Sequence, residues 1–106
     1  MTSNIQIGGK TVAMTANAAT CYRYKQAFNK DLFLLFKAED EIKIDAIQEL
    51  AYVMHKQATG EADSLSFDDY MTWLEQFEAL DFAHASAQIV NVYAAQQKST
   101  SAAKKK

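Results

Sequence analysis

Three side chains in this 106-residue sequence could act near neutral pH: Cys21, His55 and His84. A thiol becomes a useful nucleophile when a histidine lies within hydrogen-bond reach and a third group orients that histidine, and no spacing here brings the three together. Cys21 falls on the apolar stripe of a helical segment, the place of a small buried hydrophobe. His55 follows Met54 at a helix edge and His84 lies in the first turn of the last helical segment, so both read as surface or boundary residues. Without CxxC or HxxxH spacing they make a poor zinc site. The stretch "GEADSLSFDDY" holds four carboxylates, Glu61, Asp63, Asp68 and Asp69. It lacks the alternating ligands, central glycine and terminal glutamate of a calcium loop, and Asp68 and Asp69 suit a helix N-terminus better. Gly8-Gly9 is not a phosphate loop, because no Gly-rich run ending in Lys-Ser/Thr leads into a helix. We therefore assign no catalytic, metal or cofactor-binding residue, expect no cofactor, and expect no enzyme.

The elements that would have to position such groups follow from composition and pattern. A chain of this length makes one ordinary domain that buries roughly 60 to 70% of its unfolded surface. The longest apolar run, Leu32 to Phe36, is far below the roughly 20 residues that span a bilayer. The N-terminus "MTSNIQIGG" lacks the basic and apolar regions of a signal peptide, and a single cysteine fits a reducing compartment, so a soluble cytosolic domain without a membrane partner is expected. Between Gln57 and Gln97 there are seven acids and no Lys or Arg. Lys98 and Lys104 to Lys106 reverse the sign; without those four lysines the balance is 7 basic against 13 acidic residues. An acidic body repels phosphate backbones, so no nucleic-acid partner is expected.

The fold class expected is mainly α (α+β): an N-terminal β-hairpin followed by about five helices. Ile5, Ile7, Val12 and Met14 alternate on either side of Gly8-Gly9, a hairpin signal over about residues 4–15. A lone hairpin is marginal in water and must lean on helices or on another chain, which leaves an edge open for pairing. Thr20 is expected to cap a helix with Cys21, Tyr24 and Phe28 inward. Asn29 suits a left-handed closing residue, and Asp31 a cap for a short helix over "LFLLFKA". From about Asp40 to Ala58 a stripe of Ile44, Ile47, Leu50, Ala51, Met54 and Ala58 opposes Glu41, Asp45, Glu49 and Lys56, the pattern of an amphipathic core helix. "TGEADSLS" reads as the longest loop. Ser66 then opens a helix as a capping-box variant with Asp69, with Leu65 and Tyr70 as a hydrophobic staple. Its buried side is expected to be Phe67, Tyr70, Met71, Leu74 and Phe77. Asp81 caps a last helix with Phe82, Ala85, Ile89 and Tyr93 on one stripe. Residues 1–97 form the single domain, with helices over about 20–97, and residues 98–106 a disordered basic tail.

The surplus in this sequence is apolar. "DLFLLF" puts apolar side chains around more than half of a helix's circumference, whereas a helix lying on a core needs only a stripe. The run can be a short helix in the centre of the domain. Alternatively part of it, with Trp73, forms an interaction surface for another protein. The candidate protein-interaction residues are Leu32, Phe33, Phe36 and Trp73.

Five phrases occur together in one order: "IGGKTVAMTANAAT", "YRYKQAFNKDLF", "ELAYVMHKQA", "WLEQFEALD" and "STSAAKKK". In this the chain resembles the tail assembly chaperones of long, non-contractile-tailed bacteriophages and prophages, over nearly its whole length. It departs from them at Cys21, where related sequences often carry a proline at the first helical position. The resemblance implies a non-enzymatic role in phage morphogenesis in the host cell cytoplasm. Such a protein would bind and solubilise the tape measure protein, be displaced as the major tail tube protein polymerises, and be absent from the mature virion. It further implies self-association and a longer frameshifted form, for which the codons of Lys104 to Lys106 are a candidate slippery site. The alternative is a structural phage protein, a head-tail connector or minor tail component, and a third class is a small DNA-binding regulator, which the acidic second half opposes.

Overall fold

The computed structural model of the chain describes residues 2–30 and 44–104, with side chains described through residue 95. It is a small α+β fold in which an antiparallel hairpin, β1 (Thr2–Ile7) and β2 (Lys10–Thr15), precedes α1 (Thr20–Phe28), α2 (Ile44–Thr59), α3 (Phe67–Leu74) and α4 (Asp81–Lys104). Four α-helices thus fall within the described residues, where about five were expected; the short helix over "LFLLFKA" and its Asp31 cap lie outside them.

The hairpin follows from its turn. Gly8 and Gly9 both have positive φ, 58° and 84°, which fits a two-residue turn closing on the Ile7–Lys10 pair. The register then runs through Ile5–Val12 and Ser3–Met14. Ile7, Val12 and Met14 are buried, Ile5 packs against the same core, and the hairpin rests on α2 and α4. The alternation read from the sequence is therefore the core face of the sheet.

At α1, Asn29 closes the helix in the left-handed conformation and its N–H donates to the Lys25 carbonyl. Thr20 is not the cap. It is the first helical residue and fully buried, its Oγ1 accepting from the Asn17 N–H at 2.9 Å and from Gln57 Nε2 at 3.0 Å. The hydroxyl ties the chain entering α1 to α2 instead of capping its own helix.

The helix α2 is the centre of the molecule. Ile47, Leu50, Ala51 and Met54 are buried as the stripe predicts, whereas Ile44, expected on the same stripe, stands exposed at the first residue of the helix; Tyr52 and Val53 are buried too, and Glu49, expected on the solvent face, is only 8% exposed. The hairpin and α4 cover one part of this helix while α1 and α3 pack on others, so residues 49–54 are enclosed all round.

The expected loop 59–66 contains a 3₁₀ turn, Ala62–Ser64. Ser66 caps α3, its Oγ accepting from the Asp69 N–H at 3.1 Å. Tyr70 and Trp73 form the buried side, with Met71, Leu74 and Phe77 packed against the core. Phe67 breaks the expectation at 66% exposed, because the first residue of this short helix points away from the core.

On α4 the stripe Phe82, Ala85, Ile89 and Tyr93 is buried as expected. The helix, however, runs to Lys104 and does not end near Gln97. The tail expectation came from the loss of an apolar pattern, which reports packing; continuing a helix needs only good helix formers such as Ala, Gln and Lys with no Gly or Pro to stop it.

Candidate functional site

Two polar clusters are built where α1 and α3 meet α2. In the first, the buried Glu49 carboxylate accepts from the Tyr24 hydroxyl at 2.6 Å and pairs with Lys30 Nζ at 3.1 Å. Burial, and then this bond to Glu49, push the Tyr24 pKa well up, so the phenol stays protonated. In the second, Asp69 accepts from the Tyr52 hydroxyl at 2.7 Å and pairs with Lys56 Nζ at 2.9 Å, while Lys56 also reaches Glu61 at 3.2 Å. The Tyr52 hydrogen bond and then Lys56 hold the Asp69 carboxyl below the usual carboxylate range. Burial alone would lower the Lys56 pKa, but the hydrogen bonds to Asp69 and Glu61 outweigh it and the ammonium titrates above its ordinary range. Tyr24, Asp69 and Lys56 are each held by a partner in the fold, and the clusters tie α1 and α3 to α2.

The three residues that could do chemistry stay apart in role. Cys21 is half-buried and its thiol lies 2.8 Å from the Tyr93 hydroxyl, joining α1 to α4. His84 is exposed in the first turn of α4. His55 stacks on Trp73 with centroids 5.6 Å apart and a 20° interplanar angle, and its Nδ1 lies 2.8 Å from the Ala13 carbonyl oxygen. No group of three or more metal-ligating side chains occurs among the described residues. No described helix is long and apolar enough to cross a membrane.

Of the four candidate interaction residues, Leu32, Phe33 and Phe36 lie outside the described residues. Trp73 is 7% exposed and sits among Tyr52, His55, Phe77 and Phe82, with ring centroids 5.1 to 5.8 Å away. It therefore takes a core position although the expected buried side of α3 did not include it, because α3 turns this side chain into the angle between α2 and α4. Among the described residues, the large apolar side chains presented to solvent are Tyr22, Phe67 and Leu80, each more than 60% exposed, with Ile44 at 40%. Helical periodicity marks Phe67 as inward, and only its place at the very start of a short helix hints otherwise. Ile44 and Ile47 also line a shallow groove of about 350 Å³ between α2 and α4, with Ser86, Ala87, Val90 and Asn91 on its other wall.

The hairpin edges differ from one another. In a two-residue hairpin closed by a hydrogen-bonded Ile7–Lys10 pair, backbone groups at alternate positions, Thr11, Ala13 and Thr15 on β2 and Asn4 and Gln6 on β1, point away from the partner strand. On β2, His55 meets the Ala13 carbonyl and Gln57 Nε2 donates to the Thr15 carbonyl at 2.6 Å, so α2 seals that edge. On β1, the outward backbone groups of Asn4 and Gln6 have no partner among the described residues. No sequence signal marks His55 and Gln57 as covers of a strand edge, since that pairing exists only once α2 lies alongside β2.

Searches against protein-family models, curated proteins and solved structures found no match to this chain.

Proposed function

We propose that this protein is a phage tail assembly chaperone: a non-enzymatic binding protein that keeps the tape measure protein soluble in the host cytoplasm and leaves as the tail tube protein polymerises around it. The observation that carries the reading is the ordered set of five phrases. They fall on successive parts of the fold: "IGGKTVAMTANAAT" on the hairpin and the entry to α1, "ELAYVMHKQA" on the enclosed part of α2, and "WLEQFEALD" on the joint between α3 and α4. The exposed Tyr22, Phe67 and Leu80 supply apolar surface of the kind that transient cover of another protein's apolar helices needs. Several copies would coat one tape measure, together with a longer frameshifted form.

The test is co-expression with the tape measure gene of the same genome, followed by a solubility assay and pull-down. The expected result is a soluble tape measure protein that co-purifies with many copies of this chain, and virions that lack the chain by mass spectrometry. Phe67→Ser should weaken the pull-down while leaving the fold intact, whereas Trp73→Ala should cost about 3 to 5 kcal/mol of stability, read by urea unfolding. An insoluble, unbound tape measure together with the chain in finished virions would replace the chaperone reading with a structural connector or minor tail protein.

A further inference from the structure

Among the described residues the fold covers one edge of the hairpin and not the other, and we propose that the uncovered one is a self-association site: β1 pairs antiparallel with β1 of a second copy, making a four-stranded sheet β2-β1-β1-β2 across a two-fold axis. The second copy is the occupant that the strand's chemistry fits. β1 reads "TSNIQI" and carries no charged side chain, so two identical strands meet without like charges opposite one another. Natural edge strands are usually blunted by lysine, proline or a bulge; β1 has none of these, while the fold does blunt β2 with His55 and Gln57.

The register follows from which backbone groups point away from β2. Outward-facing backbone groups occur at even positions of β1, so hydrogen-bonded pairs across the seam must join even residues to even residues. Centring the axis on Asn4 matches Asn4 with Asn4 and Thr2 with Gln6, the arrangement that uses all three outward positions of both copies. An interface of this kind is isologous and closes on itself, so it yields a dimer and no open fibre. The same register continues both faces of the hairpin. Exposed Thr2, Asn4 and Gln6 form one polar face, and on the other Ile5, which lies at the margin of the core, gains Ser3 of the second copy as its neighbour.

The inference stands on edge geometry and does not rest on the chaperone reading, so a failed tape measure pull-down leaves it intact. The full chain is studied by sedimentation from micromolar to millimolar concentration, and a reversible dimer is expected. Asn4→Pro removes the central outward N–H of both copies while leaving the intramolecular ladder, whose bonds use the odd positions of β1, in place. It should weaken the dimer about tenfold or more. Asn4→Lys keeps that N–H but sets two ammonium groups opposite each other, and should weaken it about threefold, with recovery at high salt. As a positive test that needs neither variant to dissociate, Asn4→Cys in a Cys21→Ser background should form a disulfide-linked dimer on mild oxidation. Lys10→Cys, on the far strand, should not. A chain that stays monomeric throughout overturns the assignment. So does a dimer whose dissociation is unmoved by both Asn4 substitutions in natively folded protein, or one that fails to cross-link through Asn4→Cys.

Discussion

At the scale of single residues, Glu49 is the buried acid among the described residues, and a charge so enclosed needs partners that replace its water. Tyr24 gives it a short hydrogen bond from inside the core and Lys30 an ion pair from a side chain that is 45% exposed. The two partners should therefore differ in weight. Tyr24→Phe removes a bond to a charged acceptor where water cannot substitute, and should cost about 1.5 to 3 kcal/mol by urea unfolding. Lys30→Ala should cost less, about 1 kcal/mol or below, since solvent screens and partly replaces the ammonium. Equal losses would mean that the carboxylate is wetter than its burial implies. Gly8 is a second point where one atom decides the outcome. Its φ is positive, and a Cβ added there would meet the Asp81 carboxylate, whose Oδ2 already accepts from the Glu78 N–H. Gly8→Ala must therefore push the Asp81 side chain off its bond to the Glu78 N–H as well as strain the turn. Gly9→Ala meets nothing within 4 Å and carries only the positive-φ cost of about 1 to 2 kcal/mol. The Gly8 variant should be the less stable of the two by thermal denaturation.

At the scale of elements, α4 carries its observed packing on one stripe. Among its side chains described, those through residue 95, the buried ones are Phe82, Ala85, Ile89 and Tyr93. A chain stopped after Gln97 should keep its Tm within about 2 °C, while its helical circular dichroism falls by the contribution of the lost turns. The same contrast explains what could be read from sequence. Asn29, the Ser66 cap and the α4 stripe were legible because each depends on local chemistry or on one repeating interval. The end of α4 was not, because the apolar pattern stops in the sequence while the helix runs on through good helix formers to Lys104. Glu49 and Phe67 were misread for the opposite reason. A helical wheel gives a direction relative to one covered face, and α2 is covered on several faces, whereas Phe67 stands on the first residue of a helix too short for its stripe to reach the end. Of the candidate surface, the open hairpin edge was visible as a consequence of two strands alone. That α2 seals one of the two edges needed the three-dimensional placement of His55 and Gln57.

At the scale of the whole molecule, the paired groups set a pH range for folding. The Asp69 pKa is lowered in the folded state, so the folded protein binds fewer protons than the unfolded one near and below pH 4, and stability falls as acid is added through that range. The pKa values of Tyr24, Tyr52 and Tyr70 are raised, chiefly by burial, so above about pH 10 the unfolded chain releases phenolic protons that the folded one keeps, and stability falls again. Urea midpoints plotted against pH should show a plateau between these limits and decline on both sides. Asp69→Asn should flatten the acid side selectively. The same core also places the chain's single tryptophan where the hairpin-sealing His55, the α2 ring Tyr52 and the α4 ring Phe82 all meet it. Indole emission is thus a built-in optical reporter of docking among three elements at once. The native signal should be blue-shifted by burial, and one fluorescence trace during refolding should register the moment at which α3 closes onto α2 and α4.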